Sequence, residues 1–320
     1  MPDGTDAFII NTVSTGKGAH MKKFTRILTA AASVTAAAAA GSGIFLLNTT
    51  MYGKRQTLAE AYEWQANHYD VSWFGKPEPV NYTIRSYDGY ELHVSFCENP
   101  EPTDRYVILT HGYTDNRLGM LKYMKIYLDA GYNCIIYDLR GHGENKRTFC
   151  TYSIREAQDL NALISDTYKR YGKDIFLGLH GESLGAASTV RSLMYRQDVK
   201  FAVADCGFAD IENVLKGAYA ANHVPDFLLK VQSALAGTLY GYSFSEMRPI
   251  DALPQNHVPI LFIHGAEDNF ITPDNSERMK KATAGYAELQ LIPGAGHANS
   301  VLVQPELYAE TVRAFLDKIE

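Results

Sequence analysis

A serine between two glycines is the first place in this sequence where chemistry could sit: Gly181-Glu182-Ser183-Leu184-Gly185. The apolar run 175–180 leads straight into it, and Ala186-Ala187-Ser188-Thr189-Val190 can continue from it as a helix. A strand, a sharp turn and a helix together lift a serine hydroxyl above a sheet edge, towards a helix N-terminus. The turn is expected to strain Ser183, and the flanking glycines remove Cβ clashes there. A hydroxyl is a weak nucleophile near neutral pH and needs a base beside it. His297, in Gly294-Ala295-Gly296-His297-Ala298, sits on a glycine-rich loop just after the run 288–292. The histidine in turn needs a carboxylate to fix its tautomer and stabilise the imidazolium. Asp268, in His264-Gly265-Ala266-Glu267-Asp268 after the run 260–263, is the candidate, and the adjacent Glu267 is its rival. The chemistry would be acyl transfer through a covalent serine intermediate. Its tetrahedral oxyanion needs preorganised donors. One is the backbone N–H of Leu184. The other is that of Tyr113, in His111-Gly112-Tyr113-Thr114-Asp115, where Gly112 permits close backbone approach.

These residues are far apart in the chain, so the fold must gather them. Short apolar runs at 106–110, 134–137, 175–179, 201–204, 260–263 and 289–292 are separated by helical lengths such as 153–171. Such runs predict strands covered on both faces. Their alternation with helices predicts an α/β protein with a mostly parallel, doubly wound sheet. Ahead of them, 81–86 and 90–96 alternate around Asp88-Gly89 and predict a hairpin. The connection between Phe208 and Leu253 is too long for a crossover, and its 211–221 and 227–239 segments have helical periodicity. This insertion, at about 208–252, predicts a small helical lid over the carboxyl ends of the strands, where open α/β sheets bind ligands. An extra packing element without a gating role is the alternative.

With these motifs in place, the chain resembles the α/β-hydrolase superfamily over residues 80–318. The resemblance is carried by His111-Gly112-Tyr113, Asp138-Leu139-Arg140-Gly141-His142-Gly143, Gly181-Glu182-Ser183-Leu184-Gly185, His264-Gly265-Ala266-Glu267-Asp268 and Gly296-His297, in the family's order. Within the superfamily the chain is similar to the lidded bacterial serine hydrolases of the monoacylglycerol-lipase and serine-aminopeptidase-like groups. The resemblance implies an α/β-hydrolase fold, no cofactor, and a mainly structural role for the segment containing His142. Ser183 sets the chain apart from haloalkane dehalogenases and epoxide hydrolases, whose nucleophile is an aspartate.

The expected substrate is a small-molecule carboxylic ester, with a lipid-like acyl group compatible with the apolar lid residues Tyr219, Phe227, Leu228, Leu229 and Tyr240. An aminopeptidase is an alternative. It needs an acidic pocket for the substrate amine, with Glu182 and Asp210 as the nearest carboxylates. An acyltransferase shares the acyl-enzyme. A non-catalytic binding module on the same scaffold is the reading from a different class.

Composition bounds the rest. The chain has 320 residues, 46% apolar, which is enough for a sizeable core. A net charge of -6 without a long basic run argues against nucleic-acid binding. Four cysteines without a C-x-x-C pair indicate neither a zinc site nor a redox motif, and Cys134 and Cys206 read as small buried hydrophobes. Lys22, Lys23 and Arg26 precede the uncharged segment 27–47. This is the pattern of a signal or signal anchor and is read as an uncleaved membrane anchor, with the catalytic domain on the extracytoplasmic side. Cleavage near Ala38 and Ala40, giving a secreted protein, is the alternative. Residues 1–50 are thus expected to be leader and anchor, 51–80 a linker, and 81–320 the lidded domain.

Overall fold

A computed structural model of the protein describes residues 41, 44, 45 and 47–320. Eight strands form one sheet: β1 (Val80–Arg85), β2 (Glu91–Cys97), β3 (Arg105–Thr110), β4 (Asn133–Tyr137), β5 (Phe176–Glu182), β6 (Phe201–Asp205), β7 (Ile260–Gly265) and β8 (Ala287–Ile292). Their order is β1-β2-β4-β3-β5-β6-β7-β8. β1 and β2 pair antiparallel through the expected hairpin, and β2 pairs antiparallel with β4. From β4 to β8 every pairing is parallel. The carboxyl ends of β3, β5, β7 and β8 therefore share one edge of the sheet, and the four loops that follow them meet there.

The helices are α1 (Leu58–His68), α2 (Leu121–Asp129), α3 (Ile154–Tyr171), α4 (Leu184–Ser192), α5 (Ile211–Ala221), α6 (Asp226–Tyr240), α7 (Asp274–Ala282), α8 (Ser300–Val303) and α9 (Pro305–Ile319). They cover both faces, as alternation along the strands requires. Tyr106 and Ile108 of β3, Ala202 and Ala204 of β6, and Ile260 and Phe262 of β7 pack on the face that carries α3, α4 and Met279 of α7. Their neighbours Val107 and Leu109, Phe201 and Val203, and Leu261 and Ile263 pack on the other face, with α2 and α9.

The connection between β6 and β7 holds α5 and α6, as its periodicity predicted. Asp210 caps α5 by accepting from the Asn213 N–H at 3.0 Å, and Gly241, at φ 78°, ends α6.

The stretch expected to be a linker is packed into the domain. Thr57 and Glu60 form a capping box at the start of α1, and buried Gln65 donates to the Gly119 carbonyl at 3.1 Å. Leu47 and Met51 are each 1% exposed and belong to the main core. The segment read as an anchor lies outside the described residues, apart from 41, 44, 45 and 47. Among the described residues no helix is long and apolar enough to cross a membrane.

Candidate active site

Ser183 stands between β5 and α4 with φ 53° and ψ -112°, a conformation that side chains with a Cβ rarely adopt. Its N–H donates to the Asp205 carbonyl at 2.8 Å, which pins the turn to the neighbouring strand. The turn is tight enough that a Cβ on Gly185 would lie 2.0 Å from the Thr110 carbonyl oxygen. A glycine after the serine is thus required for α4 to sit against the end of β3.

The Ser183 hydroxyl oxygen lies 3.0 Å from Nε2 of His297, and Nδ1 of His297 lies 2.7 Å from Oδ2 of Asp268. Asp268 Oδ1 accepts from the backbone N–H groups of Phe270 and Ile271, both at 2.9 Å. Burial acts to raise the Asp268 pKa, but hydrogen bonds from His264 and His297 outweigh it and hold the group well below the usual carboxylate range. An ionised Asp268 is acceptor-only, so Nδ1 of His297 carries the proton and Nε2 presents a lone pair to the serine hydroxyl. Glu267, the rival carboxylate, is exposed, whereas Asp268 is 2% exposed.

Among the described residues, neither the Leu184 nor the Tyr113 backbone N–H has a protein acceptor. The first opens α4, where the helix dipole adds to its pull on negative charge. The Tyr113 ring is fixed by a bond from its phenol to the Thr50 carbonyl at 2.6 Å. His111 and His142 serve the framework. His111 accepts the Leu139 N–H at 2.9 Å, and His142 is buried with Nδ1 2.9 Å from the Arg140 carbonyl. Burial lowers the pKa of both.

Glu182 and Asp210, considered above as an amine pocket, are both spoken for. Glu182 is 4% exposed and ion-paired with Lys122, and Asp210 is 2% exposed and 2.6 Å from Arg278. Neither carboxylate is open to a substrate. His264, Lys122, Tyr123 and Asp205 also gather beneath the site, and nothing in the local sequence marks the last three. Only the His264-Gly265 start of the Asp268 motif offered a signal. All four cysteines are buried free thiols. Among the described residues no group of three or more His, Cys, Asp or Glu side chains is arranged to hold a metal ion.

A cleft of about 570 Å³ opens between α5 and the loop after Asp268. Phe270, which meets the His297 ring edge-on at 5.2 Å, lines it with Asn213, Val214, Asn269, Thr272 and Arg278. A larger groove of about 1100 Å³, by Tyr168, Arg196 and Lys200, lies at the opposite end of the strands and has no part in this arrangement.

Comparison with known proteins agrees with the fold. A family model described as "Alpha/beta hydrolase family" matches residues 107–311. An uncharacterized Bacillus subtilis protein, YqkD, is 31% identical over 318 residues, covering 93% of this chain and 98% of its own. The non-heme chloroperoxidase CPO-A1 of Kitasatospora aureofaciens is 24% identical, covering 67% of this chain and 93% of its own. Among solved structures, the Pyrococcus furiosus esterase Pf2001 superposes with a TM-score of 0.63 at 24% identity, over 77% of this chain and 96% of that one, a likeness of fold.

Proposed function

The chain belongs to the alpha/beta hydrolase family, and from that premise we propose that it is a serine hydrolase of carboxylic esters. The observation that carries this reading is the unbroken hydrogen-bonded line from Ser183 through His297 to Asp268, at 3.0 and 2.7 Å. In this reading Ser183 Oγ attacks the ester carbonyl carbon and gives its proton to His297 Nε2. The Tyr113 and Leu184 N–H groups hold the oxyanion. The tetrahedral intermediate collapses, the C–O bond to the leaving group breaks, and the imidazolium protonates the departing alkoxide. Water then repeats the sequence on the acyl-enzyme, with His297 again as base, and releases the acid.

An ester is favoured over a peptide because the two carboxylates considered for a substrate amine, Glu182 and Asp210, are buried in ion pairs. The esterase likeness at the level of fold points the same way. The test is fluorophosphonate labelling read by intact mass, beside Ser183→Ala. The expected result is one adduct on the wild type and none on the variant, with ester turnover reduced on the order of 10⁶-fold. An adduct that survives in Ser183→Ala would sink the assignment. Folded wild type that takes no adduct would favour a binding module instead.

The location of the chain belongs to the same proposal. The basic residues before 27–47 support a membrane-held protein with its domain on the extracytoplasmic side. Fractionation of cells expressing the full chain, followed by protease protection, tests it. Recovery in the soluble cytoplasmic fraction would reject it.

A further inference from the structure

We propose that Lys122 is a positioning residue for this acyl transfer, its one buried ammonium tying the residue before the nucleophile to the residue after the general base. The inference rests on the acyl-transfer reading and goes beyond the triad. Lys122 lies in the first turn of α2, and its side chain is 5% exposed. Its Nζ is ion-paired with Oε2 of Glu182, next to Ser183, and donates to the Ala298 carbonyl, next to His297, at 3.3 Å.

Both ends of this tie are places of backbone strain. Ser183 has φ 53° and Ala298 has φ 56°. Left-handed backbone at residues with a Cβ persists only where the surroundings over-determine it. At each place Lys122 holds the adjoining group. Through Glu182 the tie reaches the oxyanion loop as well, because Glu182 Oε1 lies 3.2 Å from where a Cβ on Gly112 would stand.

The rest of the pocket is built to keep that cation. The Tyr123 and Trp64 rings lie 5.1 and 5.9 Å from Nζ. The Tyr123 phenol is 2.6 Å from Glu182 Oε2 and 2.8 Å from Asp205 Oδ2. Burial acts to lower the Lys122 pKa, but Glu182, Tyr69 and Asp115 outweigh it and the ammonium stays charged. A buried ion pair adds little net stability over apolar residues of the same size. What this one supplies is geometry. It couples two loops, from β5 and from β8, whose separation sets the 3.0 Å contact between Ser183 and His297.

The test compares wild type with Lys122→Met/Glu182→Gln, which removes both charges so that neither is stranded, and with Lys122→Arg. The readouts are melting temperature, kcat and KM on p-nitrophenyl butyrate, and the rate of fluorophosphonate labelling. The double variant is expected to fold, to lose about tenfold to hundredfold in kcat and labelling rate, and to keep KM within about twofold. Lys122→Arg, whose fork can still reach both oxygens, is expected to recover most of the loss. A folded double variant with kcat within about twofold of wild type would overturn the proposal. So would a double variant that does not fold, since the pair would then support the core rather than the triad. Failure of the acyl-transfer reading is separate: it appears as wild type that takes no adduct at Ser183.

Discussion

The Tyr113 phenol donates to the Thr50 carbonyl at 2.6 Å, so a bond to the N-terminal segment steadies the loop that carries the Tyr113 N–H. The segment is held from α6 too, where the Gln232 side-chain amide donates to the Thr50 hydroxyl at 2.7 Å. The chain before β1 therefore packs against the loop that carries Tyr113.

Gly53→Ala tests that dependence. A Cβ there would fall 2.4 Å from Cζ of the Tyr113 ring, and Tyr152 packs against that ring at 5.6 Å. The ring has to shift and carry its loop with it. We expect a loss of about 1–3 kcal/mol in urea unfolding and a fall in kcat of about tenfold. Unchanged kcat would show that the segment's packing is of no consequence to the oxyanion loop.

Gly185→Ala tests the turn itself. The added methyl would meet the Thr110 carbonyl oxygen at 2.0 Å and the His111 carbonyl oxygen at 2.7 Å, and both are backbone. No side chain can swing away to relieve the contact. Loss of labelling at Ser183 is expected, with destabilisation of about 3 kcal/mol or more. A variant that labels at the wild-type rate would show that α4 can move off β3 freely.

Asp268→Asn keeps the shape of the triad and removes its charge. A drop in kcat of about 10⁴-fold is expected, because the amide no longer selects the right His297 tautomer. The stability sign follows from the lowered carboxylate. Asp268 contributes stability that is present above its unfolded value near about 4 and is lost as pH falls through its lower folded value. The gap in melting temperature between wild type and Asp268→Asn is expected to be full at neutral pH and to close in strong acid. A gap that is flat with pH would contradict this.

Asp205 should behave in the opposite sense. It is fully buried, its Oδ1 has no hydrogen-bond partner, and burial, with Glu182 nearby, pushes its pKa up to about 6. The groups facing it are the Tyr123 and Tyr308 phenols, Glu182, and the cationic or titratable Lys122 and His264. A raised carboxyl binds its proton more tightly when folded, so its contribution is full at low pH and is lost as pH rises through about 6. Asp205→Asn is already neutral and is spared that loss. Its melting temperature relative to wild type is expected to rise between pH 4 and 7, by the equivalent of on the order of 2 kcal/mol. A constant difference across that range would show that Asp205 is ionised throughout.

Local pattern made much of this molecule legible in advance. The strand order of motifs, the two-faced strands, the helical pair between β6 and β7 and the strained serine all follow from periodicity and from the needs of a sharp turn. The residues now found in contact at Ser183, His297 and Asp268 were recognisable for the same reason: each sits on a short loop directly after an apolar run, and parallel strands put all such loops on one edge. What local pattern left open was decided by packing at a distance. Of the two adjacent carboxylates, only the folded chain shows which is buried against His297: Asp268, with Glu267 exposed. The burial of Leu47 and Met51, the bond from Tyr113 to Thr50 and the tie through Lys122 link residues separated by tens to well over a hundred positions. No short-range periodicity records such contacts, because a lysine in the first turn of a helix looks the same in sequence whether it meets water or a buried glutamate. Only the folded chain, which desolvates both partners together, distinguishes the two.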